Sequence, residues 1–145
     1  MAQDPEFYKK LAEIRNSQMG FAHLLGIKVL SISDDAAVVE MELDRRFLNP
    51  TGTTAHGGAV FALADVAGGS AAWSRGYQVA TASSEIKFFS PTLDSKKLIA
   101  EAKALKMGKR MYIFNVEVRN EEGALIAVQT STFLPLMTRP ILPKE

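Results

Sequence analysis

The spacing of hydrophobic and polar residues changes period along this chain, and each change marks an element. At the start, Phe7, Leu11 and Ile14 recur at helical spacing. Asp4-Pro5 supplies an N-cap and a first helical position before them. This helix should end by about Gly20, and residues 21–25 form a short apolar turn that Gly26 stops. Period two then takes over. Residues 27–33 read as a strand, Asp34-Asp35 as a turn, and residues 36–43 as a second strand. In the latter, Ala37, Val39, Met41 and Leu43 oppose Val38, Glu40 and Glu42. The loop 44–55 is long for its place, and long loops are often functional. Residues 59–73 are almost wholly apolar, with Asp65 their one charge. Lacking Pro and poor in β-branched residues, this stretch predicts a helix over about 57–75. Apolar on every side, it should be buried.

Four more strands follow. Residues 81–89 alternate Glu85 and Lys87 with Ile86 and Phe88, and Pro91 ends them. Residues 97–106 gather Leu98, Ala100, Ala102 and Ala104 on one face; residues 110–120 do the same with Tyr112, Phe114, Val116 and Val118. Glu121-Glu122-Gly123 turns the chain into a last strand, 124–134. The last three should form an antiparallel meander. One long buried helix and five to six antiparallel strands imply an α+β fold whose sheet wraps the helix. The length suits one domain, 1–145, with residues 4–25 as a helical extension. No repeat, low-complexity tract or linker divides it.

Composition narrows the function classes. Hydrophobic residues make up 47% of the 145, enough for a real core. A net charge of +1 gives no argument for nucleic acid as partner. The absence of Cys excludes disulfides, thiolate metal sites and a Cys nucleophile. No apolar run reaches the length of a membrane span, and MAQDPEFYKK does not read as a signal peptide, so a cytoplasmic protein is expected.

The candidate chemistry lies around the central helix. A carboxylate in an apolar helix must be paired, solvated or protonated, so Asp65 has either a specific partner or an opening to a cleft. Gly58, Gly68 and Gly69 each weaken a helix by roughly 1 kcal/mol relative to Ala, which points to close approach of a backbone or ligand. Asn49-Pro50 reads as turn chemistry or as part of a site. Lys106, Lys109 and Arg110 around Gly108 read as a solvated turn or as a phosphate clamp. His23 reads as a surface or packing residue, Trp73 as core or interface.

Asn49, Gly52-Thr53, His56-Gly57-Gly58-Ala59-Val60-Phe61 and Leu63-Ala64-Asp65 together carry a resemblance. Asn seven before His and Asp nine after it, at the start of a buried helix, are its specific part. Phe88-Phe89-Ser90-Pro91 is a second match. Over about residues 26–133 the chain resembles the hotdog-fold, phenylacetate-type (PaaI-like) acyl-CoA thioesterases of the 4HBT superfamily. The resemblance implies hydrolysis of an acyl-CoA thioester, with an aryl-acetyl or medium-chain acyl group, by a homodimer or dimer of dimers. It implies no metal and no cofactor beyond the CoA of the substrate. It casts Asp65 as the residue that activates water or attacks the carbonyl, and Gly57 as the donor of a carbonyl-polarising N–H. Asn49 and His56 position the carbonyl, the water or the loop. Thr81 matches a water-holding position, with Ser83 and Ser84 as alternatives. Gly58 and Phe88 become substrate contacts, and Lys109 and Arg110 contacts to CoA. Two other readings exist. A hotdog dehydratase would need a proton-abstracting His, but His56 is followed by Gly-Gly. A non-catalytic acyl-CoA-binding regulator would carry an added DNA-binding segment, and the first helix is short and not basic.

The chemistry constrains the assembly. Thioester hydrolysis puts negative charge on the carbonyl oxygen, which a helix N-terminus stabilises. A deprotonated Asp65 can serve as base or nucleophile. Gly57 and Asp65 are eight residues apart on one helix, about 12 Å along its axis. One thioester carbon cannot reach both, so Gly57 of one subunit must work with Asp65 of another, in a twofold dimer.

Overall fold

The computed structural model describes residues 4–18 and 20–142. Its elements are α1 (Pro5–Ser17), α2 (Phe21–Leu24), β1 (Lys28–Ser33), β2 (Ala36–Glu42), α3 (Gly57–Trp73), β3 (Tyr77–Phe88), β4 (Lys97–Met107), β5 (Tyr112–Asn120) and β6 (Leu125–Pro140). The six strands form one antiparallel sheet in the order β1-β2-β4-β5-β6-β3. The expected meander is β4-β5-β6. Strand β3 crosses to its far side and pairs with β6, from Phe88 opposite Ala127 to Tyr77 opposite Pro140.

The sheet curls around α3, the hotdog arrangement. Leu63, Ala64, Ala67 and Ala71 of the helix have no exposed surface. They meet the inner face of the sheet, where Val39, Met41, Leu98, Ala100, Ala102, Phe114, Val116 and Val118 are equally buried. Burial of each large side chain contributes about 1.5–3 kcal/mol. Alanines on both α3 and β4 bring helix and strand close. Two helix glycines have the same cause. A Cβ on Gly68 would lie 2.8 Å from the Phe133 ring, and one on Gly69 would lie 2.8 Å from Arg15 Nη2. The Phe133 ring also packs edge-on to Phe114, centroids 6.1 Å apart.

Helix α1 is tied down at both ends. Asp4 accepts from the Glu6 N–H at 2.8 Å, and Tyr8 and Leu11 are buried. The Asn16 amide bonds both the N–H and the C=O of Val29, at 2.8 and 2.9 Å. It does so where the β1–β2 register shifts between Val29 and Ser31. Arg15 reaches α3, with Nε donating to Ser70 Oγ at 3.1 Å and its guanidinium 4.6 Å from the Trp73 ring centre.

Several boundaries differ from expectation. Helix α1 stops at Ser17, and the apolar turn after it is the short helix α2. Helix α3 ends at Trp73 rather than 75, because Arg75 turns away to pair with Asp35 at 2.6 Å. Strand β3 starts at Tyr77, not 81, and β6 runs to Pro140, not 134. These two extensions pair with each other, Val79 with Pro135 and Ala80 with Leu134. Tyr77 and Val79 alternate with the exposed Gln78 and Ala80, whereas 135–140 of β6 shows no such alternation. No helix among the described residues is long and apolar enough to cross a membrane.

Candidate active site

Helix α3 begins with His56 as its N-cap. His56 Nδ1 accepts from the Gly58 N–H at 2.9 Å, so the neutral ring carries its proton on Nε2. The exposed His56 ring is thereby engaged with the helix end. Extended backbone at His56 (φ −61°, ψ 134°) sets the entry angle. The N–H groups of Ala59 and Val60 bond to the His56 carbonyl. The Gly57 N–H has no acceptor among the described residues, so one donor at the positive end of the helix dipole stays free.

That N–H belongs to a cavity of about 390 Å³ lined by Asn49, Thr54, Gly57, Val60, Phe88 and Thr92, among others. Asn49 holds the loop that walls it. Its Nδ2 donates to Thr54 Oγ1 at 2.8 Å and to the Ala55 carbonyl at 3.2 Å, and its own N–H donates to the Thr54 carbonyl at 2.7 Å. Phe88 closes the opposite side. Its ring lies against Gly57, 3.2 Å from where a Cβ would stand, yet Phe88 stays 54% exposed. The cavity thus gathers three sequence-predicted residues, Asn49, Gly57 and Phe88, and His56 and Gly58 adjoin it through the cap.

Asp65 is not in that cavity. It lies two turns further along α3 and is half-buried. Its Oδ1 accepts from Thr81 Oγ1 of β3 at 3.0 Å. Burial pushes the Asp65 carboxyl above the ordinary aspartate range, while the Thr81 hydroxyl and the Arg15 charge pull it back. Of the two alternatives to Thr81, Ser83 stands exposed and Ser84 is tied to Ser131 Oγ at 2.9 Å. Lys106, Lys109 and Arg110 are all exposed around the β4–β5 turn. Within one chain the candidate residues therefore form two groups: Gly57, Asn49 and Phe88 at the start of α3, and Asp65 with Thr81 in its middle.

Two residues of these surroundings carry no motif. Thr92 is buried and its Oγ1 accepts from the Ala55 N–H at 2.7 Å, fixing the residue before His56. Nothing local in the sequence marks it. Arg15 stands four residues after Leu11, hence beside the buried stripe of α1, which was the available signal.

Comparison with known proteins fits this geometry. The sequence profile of the thioesterase superfamily matches residues 52–127, from the loop before His56 to the start of β6. A protein of Archaeoglobus fulgidus, provisionally named an esterase, is 32% identical over 109 residues, covering 75% of this chain and 70% of that protein. The acyl-coenzyme A thioesterase PaaI of Escherichia coli is 31% identical over 107 residues, covering 74% of this chain and 76% of the relative. The solved structure of the E. coli PaaI protein from the phenylacetic acid degradation operon superposes with a TM-score of 0.84 at 26% identity, covering 91% of this chain and 95% of that one. This chain belongs to the thioesterase superfamily and is a thioester hydrolase.

Proposed function

We propose that the protein hydrolyses acyl-CoA thioesters to a free acid and CoA, in sites that two copies of the chain build together. The observation that carries this reading is the free Gly57 N–H in a walled cavity, with the half-buried Asp65 carboxylate out of its reach on the same helix. The thioester carbonyl accepts from Gly57, and the helix dipole adds to the stabilisation of the developing oxyanion. Asp65 removes a proton from water, which attacks the carbonyl carbon, or Asp65 attacks it directly. In either case the C–S bond breaks, the CoA thiolate leaves and is protonated, and water supplies the acid's second oxygen. The reaction so written needs no metal or cofactor, and a cytoplasmic setting suits its CoA substrate.

Edge pairing accounts for the assembly. Strand β3 is twelve residues long, lies at the edge of the sheet and has no buried residue. Such an edge invites a partner strand. Asp65 sits level with Thr81 and Gly57 sits level with Phe88. A twofold antiparallel pairing of two β3 strands centred near Ser84 and Glu85 therefore lays Thr81 alongside Phe88 of the second copy. Asp65 then faces the second copy's Gly57. The exposed Lys109 and Arg110 offer cations for the CoA phosphates.

Release of free thiol from a panel of acyl-CoA esters, aryl-acetyl and medium-chain among them, tests the activity. Turnover of at least one ester is expected, in a dimer or a dimer of dimers by light scattering. Binding of the esters without thiol release would favour the non-catalytic reading instead.

A further inference from the structure

A second cavity, about 170 Å³, lies under the α1–α2 joint. Ile27, Val29, Phe21 and Val66 supply apolar wall, Asn16 a satisfied amide, and Arg15 its charge. Val66, one residue after Asp65, is on the cavity wall, and Arg15 feels the charge of Asp65. Its volume is close to the ~150 Å³ that holds a benzene ring, which limits an occupant to a ring or a short chain.

Arg15 is held in an unusual way. Gly69 lets the guanidinium lie flat on α3, Ser70 Oγ takes its Nε–H, and the Trp73 ring supports one face. Its two Nη groups have no acceptor among the described residues, and no carboxylate forms an ion pair with it. Burial lowers the Arg15 pKa to about 10, with only the field of Asp65 opposing that. A half-buried guanidinium, anchored through Nε and with its fork free of protein acceptors among the described residues, is arranged to receive a planar anion.

We infer that this cavity receives the far end of the acyl group and that Arg15 selects acyl chains ending in a carboxylate. The inference rests on the thioesterase reading and adds the substrate class to it: CoA half-thioesters of short dicarboxylic acids. The thioester carbon lies at Asp65, the chain passes Val66, and the terminal carboxylate pairs with the Nη groups of Arg15. Arg15 also acts on Asp65 through its charge, so a variant slows every ester. Only the ratio between a charged and an uncharged acyl end isolates recognition.

The test compares glutaryl-CoA with hexanoyl-CoA as substrates of the parent, Arg15→Met and Arg15→Lys. The parent should favour glutaryl-CoA in kcat/KM. Arg15→Met should cut that ratio about 10- to 100-fold, the worth of a charge-assisted pair, mostly through KM. Arg15→Lys keeps the charge and loses the fork, so its ratio should fall between the two. A parent without preference, or a ratio unchanged in Arg15→Met, overturns the assignment. Glutarate binding gives a second reading that needs no turnover. Trp73 is the one tryptophan and lies against Arg15, so its fluorescence should respond saturably to glutarate in the parent and not in Arg15→Met. Failure to cleave any CoA ester sinks the thioesterase reading, and absence of the glutarate response sinks the anion site.

Discussion

Thr81 Oγ1, on an exposed edge strand, donates a 3.0 Å hydrogen bond to Asp65 Oδ1 in the middle of a buried helix. It is the one hydrogen bond this carboxylate receives among the described residues. Burial outweighs it, so the Asp65 pKa stands above the ordinary value. Activity that needs ionised Asp65 should fall on acidification at a higher pH than an ordinary aspartate would set. Thr81→Val removes the donor that lowers the pKa and should move this acid limb further up. A kcat/KM profile whose acid limb stays put in Thr81→Val would separate Thr81 from the base.

Asp65→Asn should lose most turnover, about 10²- to 10⁴-fold, as expected for removal of a general base. Stability should move the other way. A carboxyl with a raised folded pKa contributes stability that is present at low pH and lost as pH rises through that pKa. The amide escapes this loss. The variant should therefore melt above the parent at neutral pH, and the gap should close on acidification. Thermal melts across the pH range check this, and a variant that melts lower at neutral pH contradicts the burial argument.

His56 supplies a cap, so its loss should act through the helix end. His56→Ala should cost about 1 kcal/mol of stability, typical of a lost N-cap. His56→Asn keeps a capping acceptor and has no group that titrates near neutrality. It should recover most of both stability and turnover. If His56→Asn is stable but as slow as a base deletion, the ring takes part in proton transfer.

The pattern of the sequence exposed the architecture where side chains alternate. Ala37, Val39 and Met41 in β2, and Tyr112, Phe114, Val116 and Val118 in β5, read as inward rows and are buried. The apolar run with a single Asp read as the wrapped helix and is one. Legibility failed where backbone pairing or a distant side chain decides. The end of β6 is held to the start of β3 by ladder bonds that its own residues 135–140, which do not alternate, fail to announce. The cap made by His56 depended on which nitrogen met Gly58, and Thr92 and Arg15 acquire their roles only through contacts 37 and 55 residues distant.

The exposed turn between β4 and β5 supplies a test with little structural risk. Replacing Lys109 and Arg110 by Ala should raise KM for CoA esters and leave kcat nearly unchanged, if both bind the CoA phosphates. The effect should be larger at low salt, where screening is weak. An unchanged KM at low ionic strength would assign both residues to the solvated surface.

Gln129 of β6 is fully buried on the inner face of the sheet, level with Ile86 and Val116, and both polar atoms of its side-chain amide lack a partner among the described residues. A buried unsatisfied polar group costs about 1–3 kcal/mol. Gln129→Met has similar length and no such need, so it should stabilise the protein by an amount of that order. Chemical denaturation measures it. A less stable variant would mean that buried water or the assembled partner satisfies the amide.

If the site is shared as proposed, it should be rebuilt from two inactive proteins. Asp65→Asn removes the proposed base or nucleophile. Gly57→Pro removes the N–H proposed to hold the oxyanion, and the local geometry suits it. Gly57 is the first residue of α3, a position where Pro is favoured, and its N–H makes no bond that Pro would break. His56 already has the extended backbone that a residue before Pro requires. The new ring must displace Phe88 slightly, since a Cβ there stands 3.2 Å from it. Each variant should fold, dimerise and show little turnover. In a mixed dimer one site receives Gly57 from the first chain and Asp65 from the second, while the other site receives both defects. Random re-pairing of equal amounts makes about half the dimers mixed, so about a quarter of all sites should be intact if the interface is twofold. Co-expression with two different tags, followed by sequential purification, isolates the mixed dimer, whose activity should approach half that of the parent. Mixed dimers as inactive as their two parents would show that Gly57 and Asp65 do not meet across the interface.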